Sequence, residues 1–474
     1  MTANEFRSSA HEMVDWMAEY LEHPEAYPVK SQVKPGEILG QLPHRAPDKG
    51  ETMKIIMEDF KKVILPGITH WQNPNFYAYF PANSSPPSIL AEMLTATLGA
   101  QCMMWETSPA AAELEEEMMT WLKQMMGLPR HFEGVIQDTA STATLCAFLS
   151  AREKASQFGV NEYGFSGHEH YRVYSSTETH SSIEKAVKIA GLGRENLVKI
   201  NVDEQYRMDP HLLRDTIKND LDKGYTPLCI VATLGTTGTT SIDSLAEISA
   251  VSKEFKLWLH VDAAMAGSAL VLPEYRWMIE GIENAESFVF NPHKWMFTNF
   301  DCSAYFVKDP EMLIKTFEIL PEYLKTWSRG KVNDYRDWGI PLGRRFRALK
   351  LWFVIRYYGV SGIQETFREH LRMTRQLKSL VESARDFEIL APVPLNTICF
   401  RYHPEGVEDA DTLNSLNEKL MQVLNASGRL YLSHTKLHGL YTIRFVVGQT
   451  HVTEQHVMDA WTFIQETARK LKND

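Results

Sequence analysis

Five short segments carry the residue types that do chemistry, and each follows a run of β-forming residues. Asn291-Pro292-His293-Lys294-Trp295 comes after such a run at 287–290. Desolvation of a lysine there lowers its pKa and frees the amine as a Schiff-base nucleophile. His260-Val261-Asp262-Ala263-Ala264 closes the apolar run 257–261. Burying the Asp262 carboxylate is costly without a cation, and a protonated pyridine nitrogen would be one. Gln137-Asp138-Thr139-Ala140-Ser141-Thr142 leads from a short strand at 134–137 into a helix starting near Ala140. Backbone N–H groups, hydroxyls and the helix dipole at that point would cradle a phosphate. Thr179-His180-Ser181-Ser182 follows the run 171–175 and offers an imidazole to stack on a flat ring. Thr233-Leu234-Gly235-Thr236-Thr237-Gly238-Thr239 ends another strand with hydroxyls for a ring oxygen or a phosphate.

Singly, each segment has a plain alternative: a solvated lysine, an Asp capping a turn, an N-capped helix, a surface histidine, a tight turn. Their order argues for one site. Phosphate cradle, ring stacker, hydroxyl turn, acid and lysine follow successive strands. One helix and one strand separate Asp262 from Lys294, which would put both at the same edge of a sheet.

The elements that must position them alternate. Strand-like runs at 171–175, 197–202, 228–234, 257–261, 287–290 and 304–307 are separated by helical stretches at 182–190, 210–222 and 244–254. That pattern predicts a mainly parallel sheet covered on both faces, with ligands beyond the carboxyl ends of its strands. Another helix starts at Ser108-Pro109, with Glu113, Glu115, Glu116 and Glu117 toward its positive end. Upstream, Phe6, Met13, Met17 and Leu21 recur at helical spacing until Pro24 and Pro28, and a second helix covers 52–63. These helices are too sparse in apolar residues for a core of their own, which predicts packing on a partner subunit. Downstream, a helical region at 343–358 leads to helices at 362–384, 411–426 and 454–470 with strands at 397–402 and 441–447. The expected division is an N-terminal helical segment (1–84), a large domain (85–361) and a small C-terminal α+β domain (362–474).

Bulk properties narrow the class. A length of 474 residues suggests two to three packed units, and 44% hydrophobic with 23% charged residues is ordinary globular composition. A net charge of −11 argues against a nucleic-acid partner. The five cysteines, Cys102, Cys146, Cys229, Cys302 and Cys399, are odd in number and never spaced as CxxC. They predict reduced thiols in a cytoplasmic protein rather than a disulfide framework or a zinc site. The first twenty residues have no apolar signal region, and no uncharged run reaches spanning length, so no membrane association is expected. Gly191-Leu192-Gly193 follows a helix and lacks the third glycine of a dinucleotide loop. His168-Glu169-His170 has no third ligand at useful spacing, so no metal is expected.

The pattern resembles the pyridoxal-phosphate-dependent aromatic L-amino-acid decarboxylases, in the group that also holds histidine and glutamate decarboxylases. The resemblance runs over nearly the whole chain. It is carried by Thr69-His70-Trp71, Phe76-Tyr77-Ala78-Tyr79-Phe80-Pro81 and Val231-Ala232-Thr233-Leu234-Gly235-Thr236-Thr237. It continues in Trp258–Ala264, Phe290–Trp295, Asn299-Phe300-Asp301-Cys302-Ser303-Ala304 and Ile340-Pro341-Leu342-Gly343-Arg344-Arg345-Phe346-Arg347. It implies fold type I, the aspartate-aminotransferase-like α/β architecture. A large domain holds a mainly parallel seven-stranded sheet, beside a small C-terminal domain and an N-terminal helical segment that swaps across a homodimer. It implies pyridoxal phosphate on Lys294 as a Schiff base, Asp262 on the pyridine nitrogen and His180 stacked on the ring. Thr139, Ala140, Ser141 and Asn291 would hold the phosphate. Thr237 and Ala264 would line the ring, with His293 close by. Trp71, Tyr79, Phe80 and Pro81 would wall the substrate pocket. Tyr323, in a lid-like stretch, matches the proton-donating tyrosine that favours an amine product. Related aldehyde synthases carry phenylalanine there. An aldehyde synthase or a histidine decarboxylase is the alternative.

The chain also departs from the pattern. Ala82 replaces a hydroxyl residue of the animal enzymes, Met103 stands where Phe is usual, and Gly343 leaves room where some relatives carry Ser. These changes lean toward tryptophan or phenylalanine over dihydroxyphenylalanine. Asp138 precedes the phosphate cradle where Gly is common, so its carboxylate should point away or help to cap the helix.

Overall fold

The computed structural model describes residues 1–167, 170–319 and 330–473. They fall into two compact units: Ala82–Thr374 with Ala391–Ile398, and Met1–Pro81 with Arg375–Leu390 and Cys399–Asp474.

The first unit is built on a seven-stranded sheet. Its strands are β1 (Glu133–Gln137), β2 (Tyr171–Ser176), β3 (Leu197–Ile200), β4 (Thr226–Thr233), β5 (Trp258–Asp262), β6 (Ser287–Phe290) and β7 (Ser303–Val307), in the order β1-β7-β6-β5-β4-β2-β3. β3, β2, β4, β5 and β6 run parallel, and β7 is antiparallel to both of its neighbours. All residues of β5, β6 and β7 are buried, which is why they read as continuous apolar runs rather than alternating ones. The Ala140–Ser156 helix lies across β1 and β4 to β7. Its buried face is small: Ala140, Ala143, Ala147 and Ala151 let it approach the sheet. Phe148 reaches further and packs with Val173, Ile183, Val231 and Trp258.

Among the described residues, the Pro86–Leu98, Gly159–Tyr163 and Pro310–Phe317 helices escaped the sequence pattern. Pro86–Leu98 begins with Ser85 in an extended conformation and two prolines in its first turn, and ends at Gly99 with φ 60°. Those are ordinary start and stop signals, but the mixed burial of the segment gives no clean apolar stripe. The long Arg347–Ser383 helix is broken at Gly359, where φ is 65°, between the helical stretches expected at 343–358 and 362–384.

In the second unit the four-stranded sheet runs β10-β11-β9-β8, from β8 (Phe387–Ile389), β9 (Thr397–Tyr402), β10 (Ser433–Leu437) and β11 (Leu440–Val446). The first helix, Ala3–Glu22, starts in a capping box: Thr2 Oγ1 accepts from the Glu5 amide, and Glu5 accepts from the Thr2 amide. It buries none of its residues, as its sparse apolar pattern predicts. Its Tyr20 hydroxyl lies 2.8 Å from His70 Nδ1. The second helix, Met53–Asp59, continues as a wider π turn over Phe60–Ile64. Among the described residues no helix is long and apolar enough to cross a membrane.

Candidate active site

β5 delivers Asp262 to the carboxyl edge of the sheet, where it is 5% exposed. Its Oδ1 accepts the Ala264 amide at 3.0 Å. Backbone bonds continue past the strand ends: the Ala263 amide donates to Val289 O, and the Asn291 amide to Ala264 O, both at 2.9 Å. They lock the chain after Asp262 to the chain leading to Lys294. Pro292 then opens a one-turn helix, Pro292–Trp295, with Lys294 on it. Trp295 anchors the turn. It is fully buried, its indole N–H donates to His370 Nδ1 at 2.9 Å, and its ring stacks on Phe367. Burial pushes the Lys294 amine below the ordinary lysine range, and the Asp262 charge opposes that shift.

His180 caps the Ser181–Ile189 helix, with Nδ1 accepting the Ser182 amide at 3.1 Å. An accepting Nδ1 leaves the proton of the neutral ring on Nε2. Burial lowers the pKa of His180, Asp262 raises it and Lys294 lowers it again. Residues from three separate strand ends therefore act on one another, as their order in the sequence predicts.

At the start of the Ala140–Ser156 helix, Thr139 Oγ1 accepts from the Thr142 amide. The amides of Ala140 and Ser141 belong to the first turn, which has no intrahelical acceptor for them. Asp138 Oδ1 accepts the Thr139 amide at 2.6 Å, so its carboxylate takes a backbone donor at the start of this helix. Asn291 Oδ1 accepts from the Ser303 hydroxyl at 2.6 Å, which turns its side-chain amide donors elsewhere. His293 Nδ1 accepts the Cys302 amide, and burial pushes its pKa down to about 3. Ala264 lies between Asp262 and Asn291 through the bonds above. Thr237 is exposed on its turn, whereas Thr233 and Thr236 are buried.

A phosphate-bearing pyridine fits this donor set. Open helix amides would hold the phosphate, a buried carboxylate would pair with the ring nitrogen, and a depressed amine would be available to the carbonyl carbon.

The aromatic residues expected to contact substrate belong to the other unit and form a ladder within it. The Trp71 ring lies 4.4 Å from that of Phe76 and 5.8 Å from that of Tyr79. Tyr79, with φ 53°, bonds through its hydroxyl to Tyr431, and the Arg444 guanidinium sits 5.3 Å from the Phe80 ring centre. Pro81 is buried and Ala82 half-buried. Met103 O accepts the Arg336 amide. Gly343 does not leave the room its missing side chain suggests. A Cβ there would lie 3.2 Å from Gln101 Nε2, and Gln101 Oε1 is fixed by the Arg344 amide at 2.7 Å. Tyr323, His168 and Glu169 lie outside the described residues.

Asp243 went unread in the sequence, and Glu115 was expected only to complement a helix dipole. Asp243, fully buried, accepts the amides of Thr233 and Met208 and so shapes the hydroxyl turn. Glu115 serves no helix dipole. It accepts from the Ile136 amide at 2.8 Å and pairs with Arg344. A lone acid among the apolar positions of a helix was the available signal.

Fold and donor set together fit the α/β class of enzymes that use a phosphate-bearing pyridine cofactor. Comparison with known proteins narrows this. Residues 35–403 match the pyridoxal-dependent decarboxylase conserved domain, and the chain belongs to that family. It is 44% identical to tyrosine decarboxylase 2 of Narcissus pseudonarcissus, over 99% of this chain and 95% of that protein. It is 41% identical to phenylacetaldehyde synthase of Arabidopsis thaliana, over 99% of this chain and 97% of that protein. The crystal structure of Catharanthus roseus tryptophan decarboxylase in complex with L-tryptophan superposes with a TM-score of 0.94 at 39% identity, covering 99% of both chains.

Proposed function

We propose that this chain removes the α-carboxyl group of an aromatic L-amino acid, releasing CO₂ and the amine. The observation that carries the reading is the Lys294 amine, depressed by burial and within the fields of Asp262 and His180. Pyridoxal phosphate, when bound, supplies the electron sink for the pair left as the carboxylate departs. The residues do the rest. Lys294 would hold the cofactor through its amine, Asp262 would pair with the ring nitrogen, and His180 would cover the ring with its Nε2 proton available. Thr139, Ala140, Ser141 and Asn291 hold the phosphate, while Thr237, Ala264 and His293 line the site.

Trp71, Tyr79, Phe80, Pro81, Ala82 and Met103 form the substrate wall, with the active site at a homodimer interface. The first helix supports that arrangement, because none of its residues is fully buried and Phe6 and Val14 stand exposed in a single chain. The division into a segment at 1–84, a large domain at 85–361 and a small domain at 362–474 belongs to the same reading. Ala82 removes a hydroxyl that a catechol would use, which favours tryptophan or phenylalanine. Tyr323 returns a proton to Cα. The five buried free thiols support a cytoplasmic location.

A second reading, oxidative conversion to the aldehyde, is favoured by the likeness to phenylacetaldehyde synthase. One experiment separates the two. The protein with added pyridoxal phosphate is given L-Trp, L-Phe, L-Tyr, L-dihydroxyphenylalanine and L-His, and amine, aldehyde and peroxide are followed together. Amine without peroxide supports decarboxylation and names the substrate. Aldehyde with peroxide refutes it in favour of the synthase.

A further inference from the structure

The elements that carry the phosphate cradle, Asp262 and Lys294 meet at one buried side chain that has no assigned role. His260 lies two residues before Asp262 on β5, on the same face of the strand, and is 0% exposed. Its Nε2 lies 3.2 Å from Thr144 Oγ1, one turn beyond Ala140 on the cradle helix. Its Nδ1 lies 2.9 Å from the Oγ of Ser287, the residue directly opposite on β6. Ser287 Oγ also accepts the indole N–H of Trp258 at 3.0 Å. Trp258 donates to Ser287, and a neutral imidazole completes the chain with one donor and one acceptor: in one tautomer the Ser287 hydroxyl donates to Nδ1 and Nε2–H to Thr144, and in the other Nδ1–H donates to Ser287 and the Thr144 hydroxyl to Nε2.

We infer that His260 is a positioning residue for the cofactor, a rigid neutral clamp that sets the cradle helix and β6 relative to Asp262. The inference rests on the proposed roles of Asp262, Lys294 and the cradle. An imidazole suits the task because it offers one donor and one acceptor at a fixed separation on a flat, inflexible ring. Burial holds its pKa down at about 4, with the Asp262 charge opposing. The ring therefore carries no charge at neutral pH and does not compete with a pyridine nitrogen for the Asp262 carboxylate. An apolar residue of similar size would fill the space but leave Thr144 and Ser287 to find other partners, which a dry interior penalises. The cradle amides, Asp262 and Lys294 would then shift relative to one another.

The test uses holoenzyme of the wild type and of His260→Phe, His260→Gln, Thr144→Val and Ser287→Ala, and the His260→Phe/Thr144→Val double variant. Three quantities are followed: pyridoxal phosphate release on dilution, the visible absorption of the bound cofactor, and the thermal midpoint of the apo protein. His260→Phe should weaken cofactor binding about tenfold, the scale of one or two buried hydrogen bonds, and shift the visible absorption. His260→Gln, which keeps one donor and one acceptor, should recover part of both. Adding Thr144→Val to His260→Phe should cost less than Thr144→Val costs alone, as expected for partners in one network. Unchanged affinity and absorption in His260→Phe would overturn the inference, whatever the apo midpoint does. If that variant does not fold, unchanged affinity and absorption in both Thr144→Val and Ser287→Ala would overturn it instead. A wild-type protein that binds no pyridoxal phosphate would refute the reading of Lys294 itself.

Discussion

Glu115 and Arg344 form a buried ion pair, with Nη2 2.6 Å from Oε1 and both side chains under 10% exposed. Neither charge is left with the other alone. Glu115 also accepts the Ile136 amide, and Arg344 donates to Ile136 O and lies over the Tyr335 ring. The pair thus staples the Pro109–Met126 helix and the chain before Arg347 to β1, the strand that leads into the phosphate cradle.

Removing one partner strands the other charge in a dry site. Glu115→Ala should cost about 3–5 kcal/mol, the usual cost of breaking a buried pair from one side. Denaturant unfolding of the apo protein checks this. A loss below about 1 kcal/mol, the scale of an exposed ion pair, would mean that water reaches Arg344.

Lys294→Ala should abolish turnover and the visible colour of the protein with added pyridoxal phosphate. Asp262→Asn should keep the colour but lose about 10²–10³-fold in kcat, the scale of removing one preorganised electrostatic group. Absorption spectra and steady-state rates distinguish the two. Retained turnover in Lys294→Ala would refute the site.

Acid should destabilise the apo fold through two buried imidazoles. His293 and His260 have pKa values pushed down to about 3 and about 4 by burial, against about 6.5 in the unfolded chain. Their contribution is therefore complete above about pH 6.5 and is lost as the pH falls through the folded values, because the unfolded state takes up protons first. Asp243 works in the other direction. Burial raises its pKa to about 6, so its contribution is present in acid and lost as the pH rises toward 6. His70, His180, His451 and His456 are shifted down as well, and Glu286 and Asp337 up with Asp243, so the histidines predominate and predict a denaturation midpoint that falls below pH 6.5. A midpoint that stays level down to pH 5 would contradict this.

Gly343→Ser should cost about 1 kcal/mol, the scale of one hydrogen bond, because the Gln101 side chain must loosen its bond to the Arg344 amide to make way. It should displace the Gln101 amide and change the ratio of KM values between L-Trp and L-Phe. Gln101→Ala combined with Gly343→Ser should restore that ratio. Unchanged ratios in both variants would remove this pair from substrate selection.

Thr139→Ala should cost about 1 kcal/mol through the lost N-cap. It should also weaken pyridoxal phosphate binding by more than that stability change explains. Equal cofactor affinity would leave Thr139 as a helix cap only.

Several of these relationships are written in local sequence. Strand-end placement of Asp262, Lys294 and His180 follows from short apolar runs with polar stops. The Thr139 cap follows from residue type, and the break at Gly359 from a glycine between two helical stretches. The Asp138 carboxylate turns to the Thr139 amide because its short side chain sits next to a free N–H. What local pattern left unread depended on distant partners. Glu115 looked like one of several acids near a helix start until the fold set Arg344 and Ile136 against it. Gly343 looked like empty space until Gln101, far away in the chain, was folded over it. His260 looked like one more residue of a buried strand until Thr144 and Ser287 met its two nitrogens. Period and capping act within a few residues, so sequence alone determined the alternation of elements and the order of the chemical groups. Ion pairs, filled cavities and hydrogen-bonded clamps join residues that only packing brings together, and the tertiary structure alone decided those.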